Sequence, residues 1–575
     1  RFARGQSRPW RVMVERSVPH ADGLLLLSVP LKKEALNFIA AMEDITQMAA
    51  ILPVVENKAY WTVRPELTVR RQRTAGTRTD ETSLGAEISA RPGANWVLNA
   101  TLNPDFSQVE IDEPTNAGAS QIALSLPEKR AFFLESADVL GLRLPGFYSR
   151  TVADPRWGAR VTWRGLDADA SALTVADRAG GIVMRGHAYG TDEYVNLGDS
   201  TATLVRARWH GDGSVAGVQL SQRDYGAGGS NRVVGADGQA RLGLFDSGDT
   251  QALWGLMASS TTAHMLADGV PRRASARSAG YLFGKVDYRS DDWLNVVQLE
   301  AIGPGFVNDN GFVPQSGVVK AEVQINRRLG ARQIGLGDAS LFDTYETELH
   351  LGLIEDRTLA DAQARVEGGQ VIRRLVRPGV WLYAARQTRF WADLGLDRYR
   401  ARSDTPLRSA PAVHMGWETS PLPWLIRVAG EMSLGRRLDF DADRVGRGGN
   451  VWMEVGMRFP LAGGWSLESD HRFNRAWVRH AGREGFAEHG WRWVGTLHMS
   501  ARDSIRVIAQ QVASDRYEGT RVVMEPWSER APHRSVLYRY IHRHGRTFSL
   551  GATSDANGTL PGKSKGVTAK LQWEM

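Results

Sequence analysis

Val567-Thr568-Ala569-Lys570-Leu571-Gln572-Trp573-Glu574-Met575 is the stretch on which the fold turns. Its odd positions are apolar and its even positions are polar. Side chains alternate faces along a strand, so the segment shows an apolar surface to one side and polar groups to the other. A chain that ends on such a strand, after many of the same kind, suggests an outer-membrane β-barrel closing on its last strand.

The same period of two recurs from about residue 57 onward. Trp157, Ala159, Val161 and Trp163 alternate with Gly158, Arg160, Thr162 and Arg164. Ala216, Val218 and Leu220 alternate with Gly217, Gln219 and Ser221. Trp424, Ile426, Val428, Gly430 and Met432 form another series, and Val451, Met453, Val455, Met457 and Phe459 a fourth. Repeated alternating segments of about ten residues are the barrel signature. Short turns are expected near 92–95, 166–169, 211–214, 290–292, 460–464, 501–503 and 543–546. Long polar links are expected near 178–200, 261–278, 303–317, 389–409, 435–449, 474–489, 513–533 and 554–565. Short and long broadly alternate, as periplasmic turns and external loops do. The prediction is an all-β, large antiparallel transmembrane barrel of roughly 20–26 strands, its C-terminus on the periplasmic side. Many of the 19 Trp fall near expected strand ends, among them Trp157, Trp163, Trp209, Trp293, Trp424, Trp452, Trp465, Trp493 and Trp573. Amphipathic rings favour the head-group level of a bilayer.

Composition agrees. Hydrophobic residues are 42% of the 575, and no run approaches the roughly 20 apolar residues of a spanning helix. A membrane crossing must therefore use strands closed into a barrel. The absence of cysteine excludes disulfides and thiolate metal sites. Of the 71 basic residues nine are Lys and the rest Arg, scattered among strands under a net charge of +7. Nucleic-acid binding calls for a concentrated basic face, so nucleic acid is not an expected partner. Membrane lipid and anionic lipopolysaccharide are.

Residues 1–56 read as a separate N-terminal segment at the periplasmic mouth. Ala35, Phe38, Ile39, Met42, Ile45, Met48 and Ala49 recur at three- and four-residue steps, which predicts an amphipathic helix or two short ones over 32–50. Arg1 in first place reads as a processed start. The barrel occupies 57–575. A barrel this wide is either open or filled by something other than its own wall.

Residues 103–138 break the strand rhythm, and 103–150 are expected to fold inward as a loop or plug. They hold Asn103, Asp105, Phe106, Gln108, Glu110 and Asp112, then Glu128, Lys129, Arg130, Phe132, Phe133 and Glu135. The first group belongs to Asn103-Pro104-Asp105-Phe106-Ser107-Gln108-Val109-Glu110, the second to Pro127-Glu128-Lys129-Arg130-Ala131-Phe132-Phe133-Leu134-Glu135. With Phe147-Tyr148-Ser149-Arg150 and Gly311-Phe312-Val313, these segments resemble a family of bacterial outer-membrane proteins labelled carbohydrate-binding family-nine-like domain proteins, which end in a barrel. The likeness runs from about residue 9 to the C-terminus. Ala131 stands where the family pattern has Pro, and the N-terminal sugar-binding-like domain is not in this sequence. The resemblance implies fold and compartment, and a saccharide as cargo.

No HExxH, GxSxG or P-loop motif occurs. The expectation is therefore of no catalysis and no cofactor, with a membrane-embedded hydrolase using carboxylates near 105–113 as an alternative. Asp105, Glu110, Asp112 and Glu113 suit either Ca²⁺ or a charge-assisted network with Lys129 and Arg130, and the network is favoured. Asp439, Asp441 and Asp443 imitate an EF-hand start, but Arg444 stands where its turn needs Gly. His542 and His544 share a strand face beside a turn. Opposite the apolar faces, Arg160, Arg164, Arg206, Arg208, Arg427, Glu431, Glu454 and Arg458 are expected to point into the lumen, setting selectivity or pairing across strands. The leading function is binding or passage of a polar solute. A scaffold barrel with a protein partner in a larger outer-membrane complex is the other reading.

Overall fold

The computed structural model describes residues 10–12, 15–18, 24–27, 43–45, 59–93, 95–104, 121–140, 146–178, 182–195, 199–211, 213–226, 228–245, 248–262, 277–331, 344–516, 527–542, 546–556 and 563–573. Its strands from Tyr60 to Gln572 form one closed antiparallel barrel. Two short strands, Arg398–Tyr399 and Arg408–Ser409, continue their neighbours Thr388–Gly395 and Ala412–Thr419. The wall therefore has 24 strands, within the expected range.

Closure joins the last strand to the first. Lys563–Gln572 pairs antiparallel with Tyr60–Thr74, setting Leu571 beside Leu67 and Lys570 beside Thr68. Lys570 Nζ reaches Glu66 Oε2 at 2.8 Å, and both side chains are buried. Alternation sorts the faces as predicted. Val567 and Leu571 are 52% and 44% exposed, on the side opposite Lys570. On Ser214–Tyr225, Val218 and Leu220 point out while Gln219, Ser221 and Arg223 are buried within. On Ser200–Gly211, Val205 and Trp209 point out while Arg206 is buried.

The connections sort by end. At the end holding both the start and the finish of the barrel they are short: 165–167, 212–213, 291–292, 385–387 and 499–502 among others, with 329–343 the exception. The other end carries 103–154, 178–199, 262–276 and 303–317. Two expected long links are instead tight turns. Arg427–Asp439 and Arg444–Pro460 meet through 440–443, and Ser466–His480 and Arg483–His498 through 481–482. Polar residues there prolong the ladder past the apolar zone, and period alone reads such rungs as loop. Exposed Trp61, Trp96, Trp209, Trp293, Trp424 and Trp465 gather at the short-turn end, as a girdle does. Trp452 departs from the expected girdle. It faces inward, its indole nitrogen 3.4 Å from Glu431 Oε2, whereas Trp493 shares the outward face of exposed Trp491 and donates to Ser469 Oγ at 3.0 Å.

The helix expected over 32–50 is not shown. Glu43–Ile45 is a strand paired with Trp10–Val12, and the remaining positions of that span lie outside the described residues. A three- and four-residue apolar period does not register a pairing partner thirty residues upstream. The described helices are short, Ala131–Leu134 and Ala137–Leu140 with two 3₁₀ turns.

Candidate functional site: the lumen and its inner layer

Three segments pack on the inward face of the wall. The first is the neighbourhood of 121–154. Glu128 accepts hydrogen bonds from the Arg130 main chain at 2.7 Å, from Arg130 Nε at 2.9 Å and from the Ser149 hydroxyl. Arg130 also donates to the carbonyls of Val152 (2.7 Å) and Ser149 (2.6 Å), and its guanidinium lies 4.3 Å above the Phe133 ring. Burial opposes the charge on Glu128, yet the bonds from Arg130 and Ser149 outweigh it and hold its pKa down to about 2. The turn of sequence at Glu128–Arg130 is thus a charge-assisted clasp on Ser149.

Beside the clasp, Phe132, Phe133, Leu140 and Val152 form one buried cluster with Leu173, Val175, Ala202 and Leu204 of the wall. Phe132 and Phe133 meet edge to face at 5.2 Å. The wall arginines complete the attachment. Arg160 donates to the Phe132 carbonyl at 2.5 Å and to Asn99 Oδ1 at 3.0 Å. Arg164 grips Asp138 with two bonds of 2.7 and 2.8 Å, holding that carboxyl below its ordinary range although burial opposes the shift. Arg208 reaches the Asp138 carbonyl and Asp169. Arg91 lies 3.7 Å from Glu135.

The second segment is residues 303–317, expected outside and found buried from Phe306 through Asn310. Phe306 and Val313 belong to a cluster with Val233, Met257, Tyr281, Ile302, Val318 and Ile372 of the wall. Those inward apolar side chains are the reason the loop turns in, since they would otherwise face an aqueous lumen. Asp309, 1% exposed, accepts from the Tyr225 hydroxyl at 2.7 Å and pairs with Arg185. Its amide donates to Asn231 Oδ1 at 2.9 Å. Arg223, fully buried, donates to the carbonyls of Asp309 and Thr151 and faces Asp177 at 3.3 Å. One guanidinium therefore joins the wall to both inner segments.

The third is the hairpin Ile182–His187 with Gly190–Val195. Ser316 donates to the Gly186 carbonyl at 2.5 Å and Gln315 to the Ala188 carbonyl at 2.8 Å. A Cβ on Gly186 would lie 2.6 Å from the Gln315 nitrogen, so the close approach requires glycine. Asn308 bonds Gly146, and Tyr148 donates to Asn310, so the segments also hold one another.

Elsewhere the expected lumen charges pair across strands. Arg206 makes a bidentate pair with Asp237 (2.7 and 3.0 Å), passing over Gly217, where a Cβ would meet its guanidinium at 2.9 Å. Arg427 lies 3.5 Å from Glu418 and 3.9 Å from Glu454, Glu454 is 3.2 Å from Arg472, and Arg458 pairs with Glu468. Wall stiffening is the reading these contacts favour. Asp439, Asp441 and Asp443 are held by arginines, the first two by Arg516 and the third by Arg408. No group of three or more His, Asp or Glu suited to a metal occurs among the described residues. Asn103 caps its strand by donating to the Leu84 carbonyl and accepting from Arg178. Asp105, Phe106, Gln108, Glu110, Asp112 and Glu113 lie outside the described residues, as does His544.

Between the inner layer and the far wall is a cavity of about 380 Å³. Gln121, Tyr189 and Gln315 border it from the layer, and Asp356, Arg373, Arg377, Asp397, Tyr399 and His414 from the wall. Arg377 and Tyr399 both donate to Asp397, and Arg373 to Asp356 at 2.8 Å. The second oxygen of Asp356, 3% exposed, has no hydrogen-bond donor among the described residues. Such a surface mixes fixed donors and acceptors with aromatic rings.

No family model matches this chain, and neither does any curated protein sequence. Solved structures do. The ferric enterobactin receptor PfeA of Pseudomonas aeruginosa is 10% identical over 89% of this chain and 80% of its own, with a TM-score of 0.37. The ferric preacinetobactin receptor BauA of Acinetobacter baumannii is 10% identical over 88% and 80%, with 0.36. OccK2 (OpdF) of Pseudomonas aeruginosa, solved with glucuronate, is 8% identical over 90% and 98%, with 0.28. Likeness at this level says nothing about what the chain carries.

Proposed function

We propose that this protein is a bacterial outer-membrane β-barrel that binds or passes a polar solute through a lumen plugged by its own inner layer. The membrane reading rests on the outward face. Val205, Leu256, Val297 and Leu550 are each more than 40% exposed near mid-strand, with Trp at the rim below. An apolar belt on a closed wall is unfavourable in water and suits hydrocarbon. Short turns on the side of the C-terminus favour a periplasmic location for that end.

The plug reading is carried by one observation: 121–154 and 303–317 are bonded to inward side chains of a closed wall, with Arg223 and Asp309 at the junction. Passage requires some of those contacts to rearrange. A saccharide is the proposed cargo, because hydroxyl groups match the donors and acceptors of Arg373, Arg377, Asp397 and Asp356 around the cavity, and because of the family resemblance. Conductance of the purified chain in planar bilayers tests the reading. The intact protein is expected to conduct poorly, and variants that loosen the inner layer to conduct more. Equal conductance in both rejects the plug.

A further inference from the structure

Three adjacent strands place arginines in one row on the outward face. Arg436 of Arg427–Asp439 is in register with Arg447 of Arg444–Pro460, and Arg447 with Arg479 of Ser466–His480. All three are exposed. The guanidinium groups of Arg436 and Arg447 have no carboxylate partner among the described residues. The next strand sets Glu484 in register with Arg479. Like charges directly opposite one another on neighbouring strands repel, so the facing pair Arg436 and Arg447 favours a bound anion.

The position of the row says which anion. It lies on the long-connection end, beyond the outward apolar residues of its three strands. Leu434 lies two residues below Arg436, and Met453 and Phe473 lie six below Arg447 and Arg479 on the same face; with Trp491 of the next strand they are 40–41% exposed. Trp477 stands between, two residues below Arg479. Arg475, deeper still, lies 5.3 Å from the Trp477 ring, so its guanidinium is drawn upward to the ring. A long basic side chain that leaves hydrocarbon for an interfacial tryptophan marks the head-group level. Arg436, Arg447, Trp477 and Arg479 border one open groove there.

We infer that Arg436, Arg447 and Arg479 form a docking site for the phosphorylated head group of an outer-leaflet lipid whose acyl chains lie on Leu434, Met453 and Phe473. Planar guanidinium forks suit phosphate oxygens bidentately, and three in a row suit a head group with more than one phosphate. The inference rests on the membrane-spanning reading above and is independent of the plug.

The test uses the full chain in detergent micelles and native mass spectrometry with added lipid A as the probe. The triple variant R436Q/R447Q/R479Q is compared with R327Q, which removes a charge near Trp293 at the opposite end. The triple variant is expected to retain lipid A roughly a hundredfold more weakly, about fivefold for each charge near the surface, and R327Q to match the parent. Equal retention by the triple variant, with electrophoretic heat-modifiability confirming a folded barrel, overturns the site. Displacement of lipid A by inorganic phosphate at similar concentration overturns the lipid assignment and leaves an anion site only. If no detergent is needed to keep the chain in solution, the membrane reading itself has failed, which this comparison separates from failure of the row.

Discussion

Asp309→Asn isolates the charge that fastens the inner layer to the wall. The substitution keeps the size of the side chain and one acceptor for Tyr225, while removing the partner of Arg185. Asp309 is 1% exposed, and the Arg185 side chain retains 21% exposure. Breaking a buried pair costs about 3–5 kcal/mol because a charge is left behind. Arg185 is able to recover some hydration, so the lower value, about 3 kcal/mol, is expected here. At 1.4 kcal/mol for each factor of ten, local opening of 303–317 rises by roughly two orders of magnitude. The wall keeps its ladder, so the loss is confined to the layer. Amide hydrogen exchange at 306–313 reads the opening directly, with the wall strand Ser214–Tyr225 as internal control. Conductance should rise in parallel. Unchanged protection at 306–313, or loss of protection there and in the wall together, would refute the reasoning.

Other outcomes follow from the same contacts. Phe306→Ala, in the buried cluster with Tyr281 and Val318, should cost about 3–5 kcal/mol of layer attachment and sensitise 303–317 to protease without unfolding the barrel. Glu128 has a folded-state pKa depressed from 4.5 to about 2, so its contribution is complete above about 4.5 and is lost as pH falls toward 2. Attachment of 128–152, followed by proteolysis or exchange, should therefore be level from pH 8 to 5 and weaken below, and Glu128→Gln should abolish that acid step. Lys570→Glu sets a second carboxylate against buried Glu66 at the closing seam, and the yield of heat-modifiable folded barrel should fall sharply. Gly217→Leu should break the Arg206–Asp237 pair by occupying the space the guanidinium crosses, lowering the melting temperature while leaving 306–313 protected.

The wall is legible in the sequence because a strand states its faces locally. Val218 and Gln219 differ by one position and fall on opposite sides of the barrel, and no distant information is needed to say so. The same rule puts Arg160, Arg164, Arg206 and Arg208 inside. The interior is not legible in that way. Asn308-Asp309-Asn310-Gly311 has the composition of an external turn, and its burial comes from partners 78–162 positions away: Gly146, Ser221, Tyr225 and Asn231. The signal open to reading is the pair Phe306 and Val313, apolar residues flanking a link that carries one acidic side chain and no basic one. The tall strands ending at Asp439 and His480 escape the pattern because their last rungs include Arg, Gly and Asp, which a period of apolar residues cannot follow. The clasp of Glu128 on Ser149 joins two segments that stand apart in the sequence, and only the fold brings them together.

The claim beneath all of this is that lipid surrounds the wall and water fills what the inner layer leaves. Nitroxide labels at outward Val205, Leu256 and Val297 and at inward Gln219, in the protein reconstituted into liposomes, test it most directly by collision with oxygen and with a water-soluble nickel chelate. The account predicts that the three outward labels favour oxygen and resist nickel, most strongly at mid-strand, while the label at 219 does not meet lipid. Outward labels as accessible to nickel as a label on an aqueous loop would contradict it.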